Sequence, residues 1–376
     1  MIPFNRPFIV GKELYYIAQA VLNGHIAGDG AFTKKCHEFL EDKFQTPKAL
    51  LTHSCTAALE MAALLCDLQP GDEVILPSFT FVSTANAFYM RGARLVFVDI
   101  RPDTLNIDEN LIERAISPRT KVIVPVHYAG VGCEMDTIMD IARRYGLLVV
   151  EDAAQGVGSL YKERSLGTIG DLGTYSFHET KNCICGEGGA LLVNKDRFIE
   201  RAEIIREKGT NRSKFFRGEV DKYTWVDVGS SYLPSDIVAA FLYAQLENIE
   251  EINARRSVIF DYYRSGLAHL AERGVLHLPY VPHDCLCNNH LFYILLRDEA
   301  TRDALMTNLR QQNIGAVFHY LPLHLSPVGR GLGYRDKMLP VTESICGRLL
   351  RLPLYFGITN EEQDIVINKI DSFFEQ

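Results

Sequence analysis

Residues 151–190 read EDAAQGVGSLYKERSLGTIGDLGTYSFHETKNCICGEGGA, and this stretch decides the fold. It opens with two acids, Glu151 and Asp152, at the end of the apolar run Leu147 to Val150. Lys181 then stands just before a glycine-dense turn, Gly186 to Gly189, and a second apolar run follows from Ala190 to Val193. Short apolar runs bounded by polar and glycine residues read as strands buried on both faces.

The same pattern recurs upstream. Ala49 to Leu51, Val74 to Leu76, Leu95 to Val98 and Val122 to Val126 are further short apolar runs. Helical patterns separate them. From Thr33 to Phe44, the residues Phe32, Cys36, Phe39, Leu40 and Phe44 recur at spacings of three and four, so one face packs. Leu59 to Cys66 and Asp136 to Tyr145 are helical, and Asp108 is placed to cap a helix through Leu111, Ile112 and Ile116. Strands alternating with helices predict an α/β fold with a mostly parallel sheet between helices. In such sheets ligands gather at the carboxyl ends of strands, and Asp152 lies at one such end. Neither GlyAspGly at 28–30 nor GlyGluGlyGly at 186–189 makes the G-x-G-x-x-G turn of dinucleotide binding, and no Walker lysine loop occurs.

Length and composition bound the reading. A chain of 376 residues exceeds one ordinary core. We expect a large domain over 1–245 and a smaller C-terminal α+β domain over 246–376, with the boundary inside a long helical pattern that runs from Ser235 toward Tyr263. With 47% apolar and 23% charged residues, no window reaches the roughly 18 unbroken apolar residues of a membrane span, so no membrane insertion is expected. The opening MIPFNRPFIVGKE has no basic flank before an apolar core, which makes a cytoplasmic location the expectation. Nine scattered cysteines without a C-x-x-C pair suit reduced thiols. His283, Cys285, Cys287 and His290 are metal-type residues at a spacing unlike fingers or ribbons, and no metal site is expected. A net charge of −8 argues against nucleic-acid binding. The basic run Arg206, Lys208, Arg212, Lys214 and Arg217 is either a solvated face or a contact to an anionic substrate. Near the end, Thr359 with Glu362 has the form of a capping box.

Four features of the large domain share one chemistry. Thr52 to Ala57 places small hydroxylated residues at a strand-to-helix junction, where Ser54 and Thr56 either cap the helix or hold a phosphate. Phe79 and Phe81 stand where the next strand gives way to a helix, as core residues or as faces for a planar ring. An acid, Asp152, and a lysine, Lys181, complete the set. Pyridoxal phosphate (PLP) calls for all four: a lysine to bond it, an acid to keep its ring nitrogen protonated, donors for its phosphate and a contact for its ring. A carboxylate beside that nitrogen raises its pKa by stabilising the charged form, and the lysine, once displaced, serves as base and acid.

The stretches PSFTFVSTAN (77–86), EDAAQGVG (151–158), SFHETKN (176–182) and GEGG (186–189) resemble the DegT/DnrJ/EryC1/StrS sugar aminotransferases, of fold type I and PLP-dependent. VPVHYAG (124–130), REKGTNRS (206–213) and DKYTW (221–225) resemble, more narrowly, the transaminases that make dTDP-4-amino-4,6-dideoxygalactose for enterobacterial common antigen. The resemblance implies Lys181 as the residue bonded to PLP, Asp152 as partner of its ring nitrogen, Gln155 at its ring hydroxyl and Phe81 against its ring. It also implies Ser176 and the turn Ser54, Cys55, Thr56 around its phosphate. Family members bring an asparagine to this phosphate from a second subunit, and Ser231 stands at that position here. L-glutamate as amino donor, a dTDP-linked keto-deoxy sugar as acceptor and a homodimer with composite sites are further implications. Two rivals are a sugar dehydratase on the same fold, in which histidine replaces the lysine, and a non-catalytic sugar-binding regulator; Lys181 speaks against both.

Overall fold

A computed structural model describes residues 1–375. The strands of the first half are β1 (Lys48–Thr52), β2 (Glu73–Pro77), β3 (Arg94–Val98), β4 (Thr120–Ile123) and β5 (Leu148–Asp152), then the short pair β6 (Leu160–Tyr161) and β7 (Arg164–Ser165), and β8 (Leu172–Ser176) and β9 (Gly189–Val193). Seven of them form one sheet in the order β1-β9-β8-β5-β4-β2-β3. The pairs from β8 through β5, β4 and β2 to β3 are parallel, and β9 alone runs against its neighbours β8 and β1.

Strand alternation divides the core into two layers. Leu51, Ile75, Ile123, Val149 and Leu192 pack into one apolar cluster, while their neighbours Leu50, Val74, Val122, Val150 and Leu191 pack into the cluster on the opposite face. Burial on both faces is why these strands are runs of apolar residues instead of alternating ones. The helix Cys55–Leu65 lies on the second face and the helices Ala31–Phe44 and Asp236–Leu246 on the first.

The later strands are β10 (Cys285–Leu286), which pairs with β6, and β11 (Phe292–Leu295), β12 (Val317–Phe318) and β13 (Leu349–Leu352). The last three form an antiparallel sheet with β13 in the centre. Its apolar cluster draws on Ile259, Tyr263, Phe292, Ile294, Leu309, Leu350 and Val366. Ile2 joins the same cluster and bridges to Ile314, so the N-terminus folds onto the C-terminal unit.

One expectation changes, and two features that the sequence left open are settled. The pattern read as one long helix is two, Asp236–Leu246 and Ile249–Gly266, interrupted at Glu247 and Asn248. The apolar periodicity continues through the break because both helices keep one face buried. Helix Glu13–Leu22, packed on Asp236–Leu246, has too little buried surface to stand out as an apolar stripe, and the sequence reading passed over it. The glycines of GlyAspGly serve packing. Helix Ala31–Phe44 has Gly30 as its N-cap with no side chain to offer, and Asp236, 1% exposed, reaches across to accept from the amides of Phe32 and Thr33 and from the Thr33 hydroxyl. A Cβ on Gly30 would sit 2.3 Å from the Asp236 Cγ.

The caps expected at Asp108 and Thr359 form, the latter with both bonds of its capping box. Replacing Asp236 strips three buried donors of their acceptor. Asp236→Ala should lower unfolding stability by about 3 kcal/mol in urea titration, at the upper end for a lost cap because all three donors stay out of water.

Candidate active site

At the carboxyl ends of the parallel strands a cavity of about 510 Å³ opens between the large sheet and the C-terminal unit. Ser54, Cys55, Thr56, Phe81, Asp152, Gln155, Ser176 and Lys181 all line it.

Asp152 ends β5 and is 5% exposed. Its carboxylate accepts from the Thr84 hydroxyl at 2.6 Å and from the Ala154 amide at 3.1 Å, and Thr80 lies 2.8 Å behind Thr84. Because Thr84 gives its proton to Asp152, Thr80 must be the donor in the second bond, and a relay of hydroxyls orients the acid. Thr80 and Thr84 went unremarked in the sequence reading, although they belong to the stretch that carries Phe81. Gln155 is held at both ends: Oε1 accepts from Ala129 at 2.7 Å and Nε2 donates to the Tyr320 hydroxyl at 3.1 Å.

The opposite end of the cavity is an anion cradle. Ser54 caps helix Cys55–Leu65 by accepting from Ala57 at 3.1 Å, which leaves the amides of Cys55 and Thr56 at the positive end of the helix without intrahelical partners. Thr56 bonds Ser83 at 2.8 Å instead of capping the helix, and Ser83 also lines the cavity. Ser176 at the end of β8 faces the same space. The glycine-dense turn explains itself here, since a Cβ on Gly189 would come within 2.5 Å of the Cys55 nitrogen. Such a cradle, with a carboxylate and a lysine across one cavity, fits the phosphate, ring nitrogen and aldehyde of PLP.

Lys181 is half-buried, and burial pulls its amine below the ordinary lysine value; the Arg351 charge adds to this, while Cys55 and Asp152 oppose it. His127, fully buried under the cavity, accepts the Cys133 amide at Nδ1, so its proton sits on Nε2 and goes to Glu151 at 2.9 Å. The C-terminal unit contributes His290, His319, Tyr320, Arg256 and Arg351 to the opposite wall. Of these five the sequence singled out only His290, as a metal-type residue; the five are spread over a helix, a strand and loops, and no local pattern joins them.

Other expectations are redistributed. Phe79 is core, 1% exposed and edge-on to Tyr128 and Tyr320, whereas Phe81 is 60% exposed at the cavity mouth. Ser231 is exposed and lies outside the cavity of its own chain, bridged to Glu207. In the basic run, Arg206 pairs with Asp29, Arg212 with Glu207, Lys214 with Glu200, and Arg217 with Glu203 and Glu219. Four of the five basic residues are thus paired with acids, Lys208 being the exception among the described ion pairs, and none of the run lines the cavity of its own chain. Cys285 and Cys287 donate to the carbonyls of Gly132 and Ala129, His290 to Asn182, and His283 is 93% exposed at its side chain; the described residues hold no metal-ligand cluster.

A lysine whose folded-state pKa lies below its unfolded value destabilises the fold wherever it must be protonated, and that penalty fades as pH rises from the folded toward the unfolded value. Lys181→Met should therefore stabilise the cofactor-free protein at pH 7 in urea melts. The gain over wild type should shrink as the melts are repeated toward pH 10, and a constant difference would contradict a buried charge as its source.

The profile of the DegT/DnrJ/EryC1/StrS aminotransferase family matches residues 9–371. A protein of Methanocaldococcus jannaschii is 35% identical over 98% of this chain and 96% of its own length. The spore coat polysaccharide biosynthesis protein SpsC of Bacillus subtilis is 33% identical over 98% of this chain and 96% of its own. Spr1654 from Streptococcus pneumoniae, a sugar aminotransferase by its description, superposes in its PMP form with a TM-score of 0.92 and in its PLP form with 0.91, both at 28% identity, covering all of this chain and at least 98% of that one. The chain belongs to the DegT/DnrJ/EryC1/StrS family and is a PLP-dependent sugar aminotransferase, whose carboxylate, lysine and anion cradle gather in one cavity.

Proposed function

We propose that the enzyme moves an amino group from L-glutamate to C-4 of dTDP-4-keto-6-deoxy-D-glucose, giving dTDP-4-amino-4,6-dideoxy-D-galactose for a surface polysaccharide of the enterobacterial common antigen type. The observation that carries the transamination is Lys181 facing Asp152 and the Ser54–Thr56 cradle within one cavity. Support for the particular sugar comes from the stretches 124–130, 206–213 and 221–225, the first of which supplies Val126 and His127 to the cavity wall.

In this reading the residue roles implied by the resemblance are supported by where the side chains lie. Bound PLP supplies an electron sink for the pair left when the donor Cα loses its proton. Asp152, fixed by Thr84 and Ala154, pairs with the ring nitrogen and keeps it charged. The amides of Cys55 and Thr56, the Thr56 hydroxyl and Ser176 hold the phosphate, and Phe81 covers the ring at the open side. Gln155 meets the ring hydroxyl with the amide proton that Tyr320 leaves over. Lys181 takes the proton from the donor Cα at Nζ and later returns one to C-4 of the sugar; a lowered pKa keeps a larger share of the amine neutral for the first task.

A homodimer completes this reading. Trp225, 79% exposed, and Phe216, 67% exposed, lie in the same region of chain as Ser231 and form apolar surface suited to a second copy, from which Ser231 would reach the neighbouring phosphate. Among the described residues no helix is long and apolar enough to cross a membrane, and a cytoplasmic location belongs to the same proposal.

Borohydride treatment of the yellow holoenzyme should fix the cofactor on Lys181 in a peptide map, and Lys181→Ala should lose at least about a thousandfold in turnover, the scale of losing both a nucleophile and a general base. An adduct on another lysine would sink the assignment. Incubation with L-glutamate and a panel of keto sugar nucleotides, with the product solved by NMR, tests the substrate: an enzyme inactive on the dTDP-4-keto sugar and active on another refutes the sugar named here.

A further inference from the structure

Of the metal-type residues His283, Cys285, Cys287 and His290, only His290 lines the cavity, and its hydrogen bonds fix where its proton lies. Its Nδ1 is 2.9 Å from the Oδ1 of Asn182, the residue that follows Lys181. The other partners of the Asn182 amide decide which of its ends faces the ring. Nδ2 donates to the backbone carbonyl of Asn288 at 2.9 Å and to Oδ1 of Asn253 at 2.9 Å. A backbone carbonyl only accepts, so the end facing it is the nitrogen and the end facing His290 is the oxygen. An amide oxygen only accepts as well, and the His290 proton therefore sits on Nδ1.

Burial, and then the charges of Lys181, Arg256 and Arg351, hold this imidazole well below the usual histidine value, so near neutral pH it carries one ring proton. With that proton on Nδ1, Nε2 presents a lone pair. Among the described residues nothing donates to Nε2, and it is not sealed within the protein, so its open side is the cavity. Lys181 lines the same cavity, its amine has no acceptor among the described residues, and it is the first of the charges that act on the His290 ring. Two other groups beside that amine are committed elsewhere. Asp152 already accepts from Thr84 and Ala154, and burial pushes the Cys55 thiol up to about 12, which keeps it uncharged. A nitrogen lone pair of fixed tautomer beside a lysine matches an N–H of that lysine.

We propose that His290 is the positioning residue for Lys181: whenever the amine is free of the cofactor, one Nζ–H donates to Nε2, which turns the lysine lone pair toward the carbon whose proton it takes and steadies the ammonium that results. This rests on the reading of Lys181 as the group that moves the proton. Asn182 acts one step behind, by holding the tautomer. A protonated imidazole has no lone pair to offer and cannot take this part.

The bond can be read directly in the PMP-loaded enzyme, where Lys181 is free, by NMR of nitrogen-labelled histidine with His290 assigned through His290→Gln. His290 should show a protonated Nδ1 and a bare Nε2, and Lys181→Met should move the Nε2 resonance toward that of an acceptor without a donor while leaving Nδ1 in place. An Nε2 that carries the proton, or that Lys181→Met leaves unmoved, overturns the proposal. Kinetics give a second reading. His290→Asn keeps an amide at the Nδ1 position for Asn182 and removes the cavity acceptor. With L-glutamate on the PLP form and the keto sugar nucleotide on the PMP form, both halves should lose about 30-fold in kcat with little change in KM, equivalent to about 2 kcal/mol for a hydrogen bond to a charged group. The isotope effect from α-deuterated L-glutamate should rise as proton transfer slows, and His290→Gln, whose amide oxygen reaches the Nε2 position, should recover part of the loss. A loss confined to the sugar half assigns Nε2 to a sugar hydroxyl and overturns the proposal. Equal losses with an unchanged isotope effect and no recovery in the glutamine variant make His290 a part of the wall only, and overturn it too. If the asparagine variant fails to fold, the Lys181→Met spectra decide. A borohydride adduct on another lysine refutes the reading of Lys181, whereas an unmoved Nε2 refutes the role of His290 alone.

Discussion

A carboxylate with no exposure lies beneath the active site. Glu151 accepts from His127 Nε2 and from the amides of Gly167, Ile169 and Gly170, so four donors meet one buried acid. Burying a charge costs several kcal/mol unless it is paired in this way. The pairing binds the loop between β7 and β8 to the end of β5 and holds His127 under the cavity floor. Alternation along the strand sends the next residue, Asp152, to the opposite face. Two adjacent acids thus divide into one that holds the floor together and one that faces the cavity.

The rest of the site is assembled from two sources of different character. The large sheet supplies Asp152 and Ser176 at strand ends, Lys181 from the loop after β8 and the helix start at Ser54 after β1, with β5 held by parallel ladders on both sides and β8 between a parallel and an antiparallel neighbour. The C-terminal unit supplies His290, His319, Tyr320 and Arg351 from a smaller antiparallel sheet. The first set is suited to a resident cofactor, which needs fixed geometry through every turnover. The second closes the cavity from the other side, where two imidazoles and a phenol stand beside Arg351, which no carboxylate pairs with among the described residues.

Much of the large sheet was legible because its signals are local. Apolar runs mark strands buried on both faces, and the caps at Ser54, Asp108 and Thr359 depend on residues within three positions of each other. The lysine, the acid and the hydroxylated turn were legible as residue types whose order suits one chemistry. Contacts between distant segments were not. Thr84 meets Asp152, Asp236 caps a helix about two hundred residues away, and Arg206 of the basic run pairs with Asp29, which no local pattern connects to it.

The sequence by itself determined that strands and helices alternate, that a lysine follows an acid across a sheet end, and which family the chain resembles, because periodicity, capping and motif order are written in neighbouring residues. Tertiary structure alone decided that Arg351 reaches the cavity wall, which phenylalanine is core and which lines the cavity mouth, and which of two adjacent acids is enclosed by protein donors. Those outcomes depend on desolvation and on partners brought together by folding. A guanidinium or a carboxylate acquires its task from what surrounds it once water has been excluded.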